Sequence, residues 1–111
     1  SLLSSLHTMG ENMSYDMSIG NTGFLNTTFN HRVVFEALID GGLHSLAGLR
    51  GSQAAKVLTM ALIHKLPHVE QDLREAMSTC NWGSYNAAIQ YLRDLHMACI
   101  DHPRHKLHLF C

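Results

Sequence analysis

The sequence predicts an all-α fold, a compact bundle or short α-solenoid fragment of roughly four to six helices. Three observations carry this. Apolar residues recur at helical spacing through the centre and the second half of the chain, glycine, proline and asparagine punctuate that spacing, and no alternating β-branched segment or Asn-Gly hairpin signal appears. With 111 residues and 46% hydrophobic content there is material for one core and not for two, so residues 1–111 read as a single helical domain.

Leu2, Leu6, Met9 and Met13 predict a short amphipathic helix over residues 2–9. Residues 10–30 hold three glycines and four asparagines and read as a mobile loop with apolar anchors at Met17, Ile19, Phe24, Leu25 and Phe29. Asn30 is placed to cap a helix over 31–40, striped by Val34, Phe35, Leu38 and Ile39 and stopped by Gly41 and Gly42. Leu43, Leu46 and Leu49 mark a short second helix. Ser52 then caps a third over 53–65, with Ala54, Ala55, Leu58, Ala61 and Leu62 on one face and Val57 and Met60 widening it. Pro67 lacks a backbone N–H, which predicts a break near Leu66 and a restart at the proline. Val69, Leu73, Ala76, Met77 and Cys80 form the next face, with Glu70 and Arg74 spaced to pair on the outside. After a turn at Asn81-Trp82-Gly83-Ser84, the stripe from Tyr85 through Ala88, Ile89, Leu92, Leu95 and Cys99 to Ile100 predicts a long helix. It ends near Asp101, because Pro103 restricts the residue before it, and residues 102–111 read as an irregular tail.

Charge narrows the functional classes. Eight basic and nine acidic side chains give a net charge of −1, which removes the electrostatic case for nucleic acid or an anionic membrane as partner. Nine histidines make that balance sensitive to mild acid. Three widely spaced cysteines read as reduced thiols of a cytoplasmic or nuclear protein. No apolar run approaches the ~18 residues of a membrane span, and the first residues lack a signal-peptide pattern.

Catalytic signatures are missing from the sequence. There is no Gly-x-Ser-x-Gly elbow, no phosphate loop, and no serine or cysteine whose local sequence supplies an activating base, so no enzyme is expected. His64 and His68 stand four apart, but Lys65 follows the first and Pro67 lies between them, which departs from the hydrolase motif. Cys99, His102, His105, His108 and Cys111 offer the nitrogen and sulfur donors that zinc uses. Paired Cys-x-x-Cys knuckles are absent and Pro103 interrupts the set, so no metal or other cofactor is assigned.

The most coherent stretch, Gly41 to Leu66, resembles an armadillo repeat. Gly41, Leu43, Leu46, Ala47, Leu49, Val57 and Ala61 fall where that repeat carries its glycines, buried leucines and small residues, over about one repeat between residues 30 and 68. His64 departs from the pattern. The resemblance implies stacked helices that build a groove for a peptide or helix. Leu66 to Leu92 resembles the last two helices of a UBA- or CUE-type module through Leu66-Pro67, Asn81-Trp82, Ala88-Ile89 and Leu92, although Lys65-Leu66-Pro67 replaces the characteristic loop. That resemblance implies ubiquitin as a partner.

The function expected from these readings is a non-enzymatic protein–protein interaction or scaffold domain that binds a peptide or helix of another protein, or its own copy. Trp82, Tyr85, Leu46, Arg50, Phe24, Leu25 and Phe29 form the expected contact set, because aromatic and arginine side chains beside turns are common anchors. The alternatives are a ubiquitin-binding module and a nucleic-acid-associated or capsid-like helical domain.

Overall fold

Ser14–Ile19 alternates polar and apolar residues, and this period of two folds as a strand, β1, with Tyr15, Met17 and Ile19 buried. The computed structural model describes residues 14–21, 25–28, 31–78 and 85–110. Across a turn, β1 pairs antiparallel with β2 (Leu25–Thr28), Ser14 opposite Thr28 and Met17 opposite Leu25. Its other edge pairs antiparallel with β3 (Leu107–Phe110), Asp16 opposite Phe110 and Ile19 opposite Leu107. The sheet order is β2-β1-β3.

The expected all-α bundle is therefore corrected: the described residues form a mixed α+β fold, with helices on one side of a small antiparallel sheet. Two features concealed the sheet. Ile19 is the one β-branched residue in β1, too few to advertise a strand, and β3 lies at the far end of the chain from the strand it pairs with. The segment read as a loop supplies two strands, and the segment read as an irregular tail supplies the third.

Four helices follow β2. The first, α1 (Arg32–Leu38), buries Val34, Phe35 and Leu38, and His31 precedes it without a side-chain cap. Asn30, the expected cap, lies outside the described residues. Gly41 and Gly42, at φ 84° and 64°, turn the chain through the left-handed region that favours glycine, into a 3-10 helix over Gly42–Leu46. Leu43 and Leu46 are buried there.

The second helix, α2 (Gly51–Thr59), starts one residue before the expected cap. Arg50 precedes it, and Gln53 Oε1 accepts the Arg50 N–H at 3.1 Å. The first N–H groups of a helix lack partners within it. Here the carbonyls of the C-terminal tail supply them: Gly51 N–H reaches His105 O at 2.8 Å and Ser52 N–H reaches Pro103 O at 3.0 Å. Nearby, Gly48 N–H bonds Leu107 O and Leu107 N–H bonds Leu49 O.

Pro67 does not break the chain. From α2 the helix runs through a π-helical stretch, Met60–Lys65, into α3 (Leu66–Ser78). Leu66 N–H bonds Ala61 O five residues back, so the register shifts immediately before the residue that has no N–H to give. The fourth helix, α4 (Tyr85–Asp101), runs antiparallel to α2, with Gly51 against the Cys99 and His102 carbonyls and Thr59 bonded to His96. The core joins sheet to helices: Tyr15 meets Phe35 edge-on at 5.9 Å, Phe35 meets Tyr91 at 5.8 Å, and Tyr91 donates its hydroxyl proton to Leu25 O at 2.7 Å.

Candidate functional site

The i,i+4 stripe that α3 keeps outside carries Glu70 and Arg74, and the first turns of α4 bring Tyr85, Asn86, Gln90 and Arg93 up against it. Leu66 and Ile89 form the floor of the resulting cleft, which holds about 250 Å³. Arg74 donates from Nε and Nη2 to Glu70 Oε1 at 3.1 and 3.0 Å. Its guanidinium also lies 4.4 Å from the centre of the Tyr85 ring, a cation–π distance. Arg74 is thereby engaged twice, by the Glu70 carboxylate and by the Tyr85 ring.

Burial, reinforced by the Glu70 charge, raises the Tyr85 phenol above its ordinary pKa, while Arg74 and Arg93 pull it the other way. The phenol stays protonated at neutral pH. Arg93 makes no ion pair or hydrogen bond with another described residue. The cleft therefore has an apolar floor, an aromatic wall, one neutralised ion pair and one guanidinium without an ion-pair partner among the described residues. Such an arrangement takes an aliphatic group with a carboxylate or carbonyl beside it, because arginine binds planar oxygen pairs through its fork of N–H donors.

Of the expected contact residues that the structure describes, Tyr85 alone lines this cleft. Leu46 is fully buried in the core and presents no side chain to a partner. Leu25 is half-buried in β2, where its carbonyl accepts from Tyr91. Arg50 is exposed at the start of α2, bridged to Lys106. Arg50 and Tyr85 sit at opposite ends of α4, about 24 Å apart at 1.5 Å per residue, so they do not share a site. Trp82, Phe24 and Phe29 lie outside the described residues. Arg93 had no sequence mark, since an unpaired charge is a property of the folded neighbourhood.

The donor set at the C-terminus does not converge. Cys99 is buried, His102 Nδ1 lies 3.1 Å from Ala98 O, the His102 and His105 rings stack edge-on at 5.6 Å, and His108 is exposed on β3. Cys111 lies outside the described residues. Among the described residues no group of three or more His, Cys, Asp or Glu side chains is placed to hold a metal ion. None of their helices is long and apolar enough to cross a membrane. Comparison with protein-family models, curated proteins and solved structures gives no match for the chain.

Proposed function

We propose that the chain is a non-enzymatic interaction module of the cytoplasm or nucleus that binds a short peptide segment of another protein in the α3–α4 cleft. The observation that carries this is the Arg93 guanidinium, without an ion pair among the described residues, beside the apolar floor of Leu66 and Ile89 and next to the Arg74–Tyr85 cation–π contact. A pre-positioned aromatic and arginine rim around an apolar patch is how interfaces concentrate their binding energy. The occupant that fits is a segment with an aliphatic side chain next to an aspartate or glutamate. Selection of displayed peptides on the full chain tests this. The expected outcome is a consensus of that kind whose affinity falls about tenfold in Arg93→Glu and in Tyr85→Ala. Binders without an acidic position, or binders indifferent to both substitutions, overturn it.

A second reading, self-association, has its own support. Thr59 accepts the His96 Nε2 proton at 2.8 Å while donating to Ala55 O, which marks the seam between α2 and α4. Ile63, Met97 and Ile100, on the segments that carry Thr59 and His96, are 59%, 58% and 49% exposed. Exposed large apolar side chains on neighbouring helices support an interface. The mass in solution across a concentration series, for the wild type and for Ile63→Lys, decides between a monomer and a concentration-dependent dimer.

A further inference from the structure

The near-neutral charge of the chain hides where its cations stand. The ion pairs among the described residues engage Arg32, Lys65 and Arg74. Residues 102–108, His-Pro-Arg-His-Lys-Leu-His, and the 48–52 segment they run against contain no acidic side chain. There Arg50 and Lys106 stand directly opposite each other, between the bonds from Gly51 N–H to His105 O and from Leu107 N–H to Leu49 O. A pair flanked by its hydrogen bonds in this way is the kind that brings the Cα atoms to about 4.5 Å and the side chains closest together. Like charges so placed repel. Both residues are exposed, and neither has an ion-pair partner among the described residues. Asp101, the nearest acid along the chain, ends α4 and pairs with neither.

The pair continues onto the face of the sheet that the helices leave uncovered. Leu107 is buried, so Lys106, just before β3, shares the opposite, exposed face with His108 and Phe110. From Lys106 to Phe110 this row spans about 13 Å at ~3.3 Å per residue. His108 stands opposite Ser18 of β1 and Phe110 opposite Asp16, and Asp16 stands opposite Asn26 of β2. Phe110 is 55% exposed, a large ring set on an otherwise polar surface. Asp16 is the one carboxylate on this face among the described residues, and its Oδ1 accepts from Asn26 Nδ2 at 2.6 Å. Two cations therefore lie at one end of the row, an aromatic ring at the other, and an imidazole between them.

We propose that this face binds single-stranded nucleic acid, with a phosphate between Arg50 and Lys106 and unpaired bases against His108 and Phe110. The phosphate supplies the counter-charge that the cation pair lacks and accepts hydrogen bonds from both side chains. Bases splayed from a single strand stack on aromatic rings of a sheet, which an acidic peptide does not do and a duplex, with its bases already stacked, cannot. Asp16 beside Phe110 repels phosphate and so fixes the backbone at the Lys106 end. With two permanent cations in the row, the affinity belongs in the range of non-specific binding and depends on salt. The surface lies on the side of the sheet away from the helices, apart from the α3–α4 cleft.

The test is fluorescence anisotropy of the full chain with labelled oligouridylate and oligothymidylate of about ten residues, against a duplex of the same length and polyglutamate as competitors. At least one of the two strands is expected to bind at low salt with a Kd of about 1–100 μM, and to be released as salt rises. Lys106→Gln should weaken binding several-fold and flatten the slope of log affinity against log salt by about 0.7, the loss of one phosphate contact. Phe110→Ala should weaken binding about tenfold and leave that slope unchanged, because stacking releases no counterions. Where Phe110→Ala lowers the urea midpoint, His108→Ala takes its place, with a several-fold loss at unchanged slope. The proposal fails if neither strand binds at low salt, if the duplex or polyglutamate competes as well as an unlabelled single strand, or if the variants bind as the wild type does.

Discussion

Gly51 shows how far one absent side chain reaches. A Cβ there would stand 2.2 Å from His102 O and 2.6 Å from Cys99 O, both backbone atoms that cannot swing aside. It is the first residue of α2, and its lack of a side chain lets α2 begin against the last turn of α4. Gly51→Ala should therefore destabilise the protein by about 1–3 kcal/mol through overpacking. A urea melt measures it, and an unchanged midpoint would refute the close approach. His31 makes a pH prediction at the same scale. Burial holds its folded-state pKa below the ordinary 6.5, so the unfolded chain takes up the proton first as pH falls. Its contribution to stability is present above about 6.5 and is lost as pH drops towards the folded-state value. Desolvation is the cause of that shift, and no carboxylate offsets it. Between about pH 7 and about pH 5 the wild type should lose more stability than His31→Phe, and parallel urea midpoints in the two proteins would contradict this.

At the scale of elements, the C-terminal strand is a clamp. The tail meets the 48–52 segment through Ser52 N–H to Pro103 O, Gly51 N–H to His105 O, Gly48 N–H to Leu107 O and Leu107 N–H to Leu49 O, and Leu107 is fully buried beneath the sheet. Leu107→Ala removes a core side chain at the junction of sheet and helix, with an expected loss of about 2–5 kcal/mol. A loss within a few tenths of a kcal/mol would mean that β3 is not part of the cooperative unit. The helices were legible in the sequence wherever their cause was local. The α4 stripe of Ala88, Ile89, Leu92 and Leu95 is buried as its spacing implied, and so are Val34, Phe35 and Leu38 of α1. The sheet was hidden because its cause is not local. The alternation in Ser14–Ile19 can be read, but the partners that turn an alternating segment into a strand lie on residues 25–28 and 107–110. Pro67 misled for a related reason, since a rule for regular α-helix does not anticipate the π register that precedes it. The candidate cleft divides the same way: Tyr85 stood out as an aromatic at a helix start, while Arg93 matters for the ion-pair partner it lacks among the described residues, which only the folded neighbourhood shows.

Across the whole molecule, the sheet, α1 and α4 share one core in which Cys99 is completely buried, and this makes one thiol a reporter on global unfolding. Burial pushes the Cys99 thiol up to about 11. At about pH 8 roughly one molecule in a thousand would carry the thiolate even if reagent could reach it. Alkylation in the native state therefore has to wait for an opening that exposes the centre of the core. In a background of Cys80→Ser and Cys111→Ser, the labelling rate should track the equilibrium population of the open form when closing outpaces reaction. Gly51→Ala links this readout to the residue scale, because Gly51 packs against the Cys99 backbone carbonyl at the end of α4. Each ~1.4 kcal/mol that the substitution removes should speed labelling about tenfold, in step with its urea midpoint. Labelling that is fast in the wild type and indifferent to Gly51→Ala would show that the end of α4 opens separately from the core, and would argue against the domain unfolding as one unit.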